Sequence, residues 1–360
     1  MQLIIEKYIT QLKNSSLWVF SIYSSVHFGL QLKNIYMPVI LPRISKQIFS
    51  KDIHYILNKN FTSIQPIWLP IQIKWMNNLY RTFHDYEKFM IIIYLMVKTF
   101  DYYSKNFVKL NYEEFFSQNE VEVETLNIIE ISNALNIPKE TARRKVNELE
   151  ELGAIKKSNK KIIIDRSAWP SMKPEETIKS LSHFLSILSK MLFKEGFMLE
   201  KISSDQIVRA AKDNFSFVWK LYYEMQMPML LKFKEIHGDL ETFHIHGVCL
   251  SNHALNAQKI DNSKMSKELY LDRFFFGDRQ EFLGINAMSI SDISGIPRAT
   301  VIRKLNKLVK GKFLTIDNKK HYSTNKGVHK KKLLVVQNNT FINLSKFAAR
   351  IYNLSLMKNN

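Results

Sequence analysis

One cysteine, Cys249, occurs in 360 residues. A single thiol excludes an internal disulfide framework and fits a reducing compartment. Long hydrophobic runs are missing too. The most apolar stretch, Phe89–Val97, is too short to span a bilayer, and Leu17–Leu30 is punctuated by Ser, His and Tyr and is also too short. The N-terminus lacks a cationic start, a clean apolar core and a small-residue cleavage site, so no secretory signal is expected. These absences predict a cytoplasmic, nucleoid-associated protein with no membrane partner. Glycine is scarce in the first 110 residues, where bulky apolar side chains predominate. Acids are outnumbered, 33 against 52 Lys and Arg, for a net charge of +19 and a pI of about 9.6. That balance favours a polyanionic partner.

The composition is otherwise that of a globular chain, 46% hydrophobic and 24% charged, long enough for two or three packed domains. AT-rich codon usage alone would enrich Lys, Asn, Ile, Phe and Tyr, but it would scatter the lysines. Residues 298–332 instead hold twelve Lys and Arg against one acid, Asp317, so this stretch alone contributes 12 − 1 = 11 of the net charges.

The strongest internal signal is a repeat. Residues 115–161 reappear without a gap as 274–320, an offset of 159. Phe115-Phe116 meets Phe274-Phe275, Asn127 meets Asn286, Ile131-Ser132 meets Ile290-Ser291, and Ile137-Pro138 meets Ile296-Pro297. Thr141, Arg144, Lys145, Asn147 and Leu149 meet Thr300, Arg303, Lys304, Asn306 and Leu308, and Asn159-Lys160-Lys161 meets Asn318-Lys319-Lys320. The matches fall at caps, turns and helix faces. Asn127 is a good N-cap with Glu130 placed for a capping box. The following short helix is expected to bury Ile131, Ala134 and Leu135. Asn136, or Gly295 in the second copy, suits a left-handed turn position. Pro138 or Pro297 then opens a second helix. That helix turns Ala142, Val146 and Leu149 (Val301, Leu305 and Leu308 in the second copy) to the core and Glu140, Arg144 and Asn147 outward. Gly153 and Gly311 are expected to end these helices. Basic hairpins follow, over Ile155–Ile164 and Leu314–Tyr322. Helix, turn, helix and hairpin predict a winged helix-turn-helix, in tandem, and a chain with two copies of such a reader points to nucleic acid.

Pro138-Lys139-Glu140-Thr141-Ala142-Arg143-Arg144 resembles the recognition-helix pattern Arg-Glu-Thr-Val-x-Arg of catabolite-activator-type bacterial transcriptional regulators, and Pro297-Arg298-Ala299-Thr300-Val301-Ile302-Arg303 is similar. The resemblance covers about 40 residues per copy and includes no cyclic-nucleotide-binding domain. It implies base contacts in the major groove by Lys139, Glu140 and Arg144, and by Arg298 and Arg303. Ala299 departs from it and cannot accept from cytosine, so the two copies should read different bases. The candidate DNA-binding set is completed by Thr141, Arg143, Asn147, Lys160 and Lys161 in the first copy. In the second it is completed by Thr300, Lys304, Asn306, Lys307, Lys319 and Lys320. Residues 138–152 hold four bases and four acids, whereas 297–311 hold five bases and no acid, so phosphate attraction is expected mainly from the second copy.

The expected fold is mainly α. It comprises an N-terminal helical region (1–110), a first winged unit (111–168), a central helical region (169–270), a second winged unit (271–328) and a C-terminal basic segment and helix (329–360). Pro38, Pro42, Pro66 and Pro70 are expected to break the first region, with Trp75–Tyr103 its longest helix. Pro170 and Pro174 mark a boundary after the first unit. Residues 175–236 return to helical spacing, and Phe341–Leu356 is an apolar helix that either packs back or dimerises. The arrangement points to duplication of a whole helical-plus-winged module, although the helical halves align poorly.

A rival constellation is the cluster of His237, His244, His246, Cys249 and His253. His and Cys at short spacing suit zinc, and His244-Ile245-His246 also resembles the metal-binding string of rolling-circle nickases, with Tyr270 or Tyr322 as nucleophile. The plainer reading makes these packing histidines, with no metal, cofactor or catalytic residue. The expected function is sequence-specific binding of double-stranded DNA as a transcriptional regulator, as monomer or homodimer, with any small-molecule effector unspecified. Tandem winged helices also resemble theta-type plasmid replication initiators, which is the second reading, and the nickase is the third.

Overall fold

The computed structural model describes residues 47–123, 127–158, 161–168, 173–260, 266–272, 284–325 and 327–357. Expectations placed on Leu17–Leu30, Pro38, Pro42, Asn159, Lys160, Pro170, Phe274 and Phe275 lie outside these residues. The chain is mainly helical, and among the described residues no helix is long and apolar enough to cross a membrane.

Helix α1 (Ser50–Lys59) and α2 (Phe61–Phe83) are separated by Asn60 alone. Pro66 and Pro70, expected as breaks, lie inside α2. An interior proline costs ~3 kcal/mol through its missing N–H and its clash with the preceding turn. Burial of a large apolar side chain returns ~1.5–3 kcal/mol, and α2 buries Phe61, Ile64, Trp68, Trp75, Met76 and Leu79. Packing therefore outweighs the two prolines. The single long helix expected over Trp75–Tyr103 is instead two. Helix α2 ends at Phe83, His84 turns left-handed at φ 50°, and α3 runs Tyr86–Lys105. Asp85 caps α3, accepting from the backbone N–H groups of Glu87 and Lys88 at 2.8 and 3.2 Å. Apolar periodicity carries across this two-residue joint, which is why spacing alone does not reveal it.

After α4 (Tyr112–Ser117) comes the first repeat unit: β1 (Glu120–Val123), α5 (Ile128–Leu135), α6 (Lys139–Glu151), β2 (Ile155–Ser158) and β3 (Lys161–Asp165). The strands form one antiparallel sheet in the order β1-β3-β2. Then follow α7 (Glu175–Lys194), α8 (Ser204–Asp213), α9 (Phe215–His237), α10 (Leu240–Ile260) and α11 (Lys267–Tyr270). The second repeat unit is β4 (Ile285–Asn286), α12 (Ala287–Ser294), α13 (Arg298–Lys310), β5 (Leu314–Ile316) and β6 (His321–Thr324), with sheet order β4-β6-β5. Helix α14 (Lys330–Met357) closes the chain. It is longer than the expected Phe341–Leu356 and packs back against α1, α8 and α9.

The two units agree in detail. Asn127 caps α5 by accepting from Ile129 N–H at 3.0 Å, and Asn286 caps α12 by accepting from Ser289 N–H at 2.9 Å. The Glu130 half of the expected capping box is not made to backbone, because its carboxylate accepts from Lys98 at 2.6 Å. Asn136 (φ 48°) and Gly295 (φ 72°) occupy the left-handed turn position, and the hydroxyls of Ser132 and Ser291 donate to the carbonyls of Ile137 and Ile296, both at 2.7 Å. Ala134 is only half-buried, unlike Ile131 and Leu135. At the far end Gly153 is left-handed, but Gly311 is not. Lys312, at the same register as Gly153, takes φ 60°. Gly311 instead caps its helix at φ −76°, the same conformation as Leu152, its counterpart in the first unit, at φ −75°.

The helical regions repeat as well, at an offset of 154 rather than 159. Helices α1 and α8 begin at 50 and 204, α2 and α9 at 61 and 215, and α3 and α10 at 86 and 240. In this register Ser50, Ile53, Asn60, Phe61, Gln72, Asp85, Glu87 and Phe89 meet Ser204, Ile207, Asn214, Phe215, Gln226, Asp239, Glu241 and Phe243. A net insertion of 159 − 154 = 5 residues, after α10 and before β4, hides the match from a single-offset alignment. Among the described residues the module is thus seven helices and three strands, present twice.

The two modules exchange partners. Helix α2 packs on α10 as α9 packs on α3; α7 packs on α8 as α14 packs on α1; α4 meets α9 as α11 meets α2. Tyr112 sets its edge against Phe215 and Tyr270 sets its edge against Phe61, with centroids 5.3 and 6.0 Å apart. The hydrophobic core therefore runs through both modules instead of lying within each.

Candidate nucleic-acid interface

Each repeat unit is seated on the long helix of its own module, α5 and α6 on α3, α12 and α13 on α10. A repeated ion-pair clamp accompanies each seat. Lys145 of α6 and Lys304 of α13 share one register; both are buried, at 9% and 6% exposure, and both reach an aspartate that precedes the supporting helix. Lys145 donates to Asp85 at 2.6 Å and to Glu148 at 3.1 Å. Lys304 reaches Asp239 at 2.8 Å and Glu241 at 3.0 Å. Burial raises the Asp239 carboxyl, but hydrogen bonds from Lys304, Thr242 and Lys307 overcome that and hold it well below the usual carboxylate range. Lys304 was expected to contact DNA. Its ammonium instead fixes the second helix to the scaffold. Lys307 is exposed but likewise reaches Asp239, at 2.9 Å.

What remains outward differs between the units. On α6, Lys139, Glu140, Arg143, Arg144 and Asn147 are exposed and Thr141 is half-buried. Most of that charge is already engaged. Arg143 pairs with Glu140, Arg144 with Glu148 at 3.8 Å, and Lys157 with Glu150 and the Asn147 amide oxygen at 2.5 and 3.1 Å. The first hairpin is similarly self-neutralised. Lys161 meets Glu122 at 2.7 Å, and Lys156 meets Glu120 and Asp165 at 2.8 and 2.7 Å. Hydrogen bonding from Lys156, first, and from Ser167 pulls the Asp165 carboxyl down to about 2. Glu120 and Glu122 belong to β1, a third strand where the sequence shows only an acid-rich stretch.

On α13, Arg298, Arg303, Asn306 and Lys307 are exposed with Thr300 half-buried, and Arg298 and Arg303 enter no ion pair among the described residues. Lys319 and Lys320 stand exposed at the tip of the second hairpin, also without an ion pair there, and Lys320 is left-handed at φ 59°. Asp317, the one acid of the basic stretch, spends its carboxylate on the turn, accepting from the N–H groups of Lys319 and His321 at 2.9 and 2.8 Å.

The histidine cluster is built into the core beside this unit. His244 bonds Tyr86 and Asn77 at 2.6 and 2.7 Å, so both its nitrogens are engaged by protein. His246 bonds His237 at 2.9 Å, and His253 meets Thr324 at 3.2 Å. Among the described residues no group of three or more His, Cys, Asp or Glu could hold a metal ion. Burial lowers His237 to about 4 and His244 to about 3, and pushes the Cys249 thiol up to about 12. Tyr270 and Tyr322, the nominated nucleophiles, are both buried, at 4% and 5% exposure.

Sequence reasoning missed Asp85, Asp239 and Glu241, whose signal is the register of 154. Comparison with protein families, with curated proteins and with solved structures finds no match to this chain.

Proposed function

We propose that this chain is a sequence-specific double-stranded DNA-binding regulator of the cytoplasm and nucleoid, whose two repeat units are winged helix-turn-helix readers. The observation that carries this reading is the surface of α13 and its hairpin, where Arg298, Arg303, Lys319 and Lys320 are held outward with no internal counter-charge among the described residues. An arginine in that state is available for bidentate contact with guanine, and lysines on a hairpin tip for phosphate. The scaffold supports the same reading. Partner exchange between modules gives one chain the internal arrangement that a homodimeric regulator assembles from two subunits. Arg144 and Lys139 act as the weaker reader, and Glu140 and Ala299 make the two half-sites related but unequal.

Selection of bound sequences from random duplex DNA, followed by footprinting, tests this. The expected site is an imperfect inverted repeat with protected patches about 10 bp apart, occupied by one chain. Failure to enrich any sequence, or a perfectly symmetric site bound by two chains, would overturn it.

A further inference from the structure

A cavity of about 360 Å³ lies where the two modules meet, between α2, α3 and α9, beneath the end of β3. Trp75, Phe89, Phe100, Phe115, Phe116 and Trp219 give it an aromatic wall. Arg166, immediately after β3, lines it too, with Arg81 and Lys173 adding positive charge. The one carboxylate described on its wall, Glu176, is engaged by Lys74 at 2.9 Å.

Arg166 is the unusual group. Its guanidinium lies 4.2 and 4.8 Å from the ring centres of Phe115 and Phe116, and Nη2 donates to the Phe115 carbonyl at 2.5 Å. Its Nε and Nη1 are fully buried and, among the described residues, have no acceptor and face no carboxylate. Burial lowers its pKa to about 10, which leaves it cationic at neutral pH. A half-buried cation with two covered, idle donors is costly unless an anion nearby offsets it.

We propose that this cavity is a binding site for a small aromatic or apolar anion, its ring body against the aromatic wall and its carboxylate, sulfonate or phosphate beside the cationic side chains of Arg166, Arg81 and Lys173. The volume lies at the lower end of the range that holds small organic ligands, roughly 300–1,000 Å³.

The test uses 8-anilinonaphthalene-1-sulfonate and its uncharged counterpart N-phenyl-1-naphthylamine, titrated against the full-length protein without DNA, so the outcome does not depend on the DNA-binding reading. The expected result is one saturable sulfonate site per chain that quenches tryptophan fluorescence, with the sulfonate bound at least tenfold more tightly than the neutral probe. Arg166→Gln should abolish that tenfold preference and leave the neutral probe's affinity unchanged, while Arg166→Lys retains part of it. Asn78→Trp, which fills the cavity from its α2 wall and leaves Arg166 in the sequence, should block both probes. It decides the matter should Arg166→Gln fail to fold by circular dichroism. Equal affinity of the two probes, an unchanged preference in Arg166→Gln, or undiminished binding in Asn78→Trp would each overturn the proposal.

Discussion

The two repeat units share caps, turn, helix lengths, strand order and clamp, and differ in where their charge goes. In the first, the exposed bases of α6 and its hairpin are largely met by acids a few ångströms away: Glu140, Glu148, Glu150, Glu120, Glu122 and Asp165. In the second, Arg298, Arg303, Lys319 and Lys320 have no such partners among the described residues. A surface ion pair contributes little to stability, ~0–1 kcal/mol, so the first unit gains little in folding from its pairs. What they do is lower its field. On the DNA-binding function proposed above, internal neutralisation of one copy would leave a stronger and a weaker anchor on one scaffold.

Three contrasts test this, the first through stability. Breaking a buried pair leaves an uncompensated charge, which costs ~3–5 kcal/mol. Asp239→Ala should cost part of that in urea denaturation, because Asp239 holds Lys304 and Lys307 and binds the Thr242 N–H at 2.7 Å, although Lys304 keeps Glu241. Asp85→Ala should cost less, since among the described residues Asp85 holds Lys145 alone where Asp239 holds two lysines; Lys145 keeps Glu148 as Lys304 keeps Glu241. Equal losses would show that the two clamps are interchangeable.

Acid provides the second contrast. Where the second module buries His237, His244 and His246, the first has Phe83, Met90 and Ile92 at the same register. The folded pKa of each histidine is depressed by burial, so below about 6.5 the unfolded chain takes up protons that the folded chain cannot. Stability is therefore present at neutral pH and falls as pH drops, by about 1.4 kcal/mol per histidine per pH unit. For His237 the loss continues to about 4. His237→Phe, the first module's own residue, should remove one histidine's share of that slope between pH 6.5 and 5. A slope identical to wild type would show that His237 already titrates normally in the folded chain.

DNA binding supplies the third contrast and the smallest effects. Arg303→Ala should cost ~1–3 kcal/mol and relax specificity at one base pair, while Arg144→Ala should cost less, since Glu148 already draws on its charge. An anisotropy titration in which Arg144→Ala is the more damaging would reverse the ranking of the units. Replacing Lys319 and Lys320 by alanine should weaken binding to all sequences alike. It should also flatten the log–log salt dependence by about one unit for each phosphate no longer neutralised. Lys161→Ala should scarcely change that slope, because Glu122 already neutralises it. A slope unchanged by the double replacement removes the second hairpin from the interface.

Much of each unit is legible in the residues alone. Asn127, Asn136 and Pro138, and Asn286, Gly295 and Pro297, mark cap, turn and helix start because each residue type has a local conformational reason to sit there. These are properties of a few consecutive residues. Gly311 shows the limit of such reasoning: it caps its helix at φ −76°, as Leu152 does in the first unit at φ −75°, and Lys312 bears the left-handed φ.

The sequence by itself determined the helical composition, the two units and the basic stretch at 298–332, since these rest on local propensity and on charge, which add along a chain. Only the tertiary structure decided that α2 runs through two prolines, that α2 and α3 part at His84, that modules offset by 154 exchange their helices, and that Lys304 faces inward while Arg303 beside it faces out. Each of those depends on which surface a residue meets from elsewhere in the chain, and a helix face 6% exposed and one open to solvent can be a single residue apart.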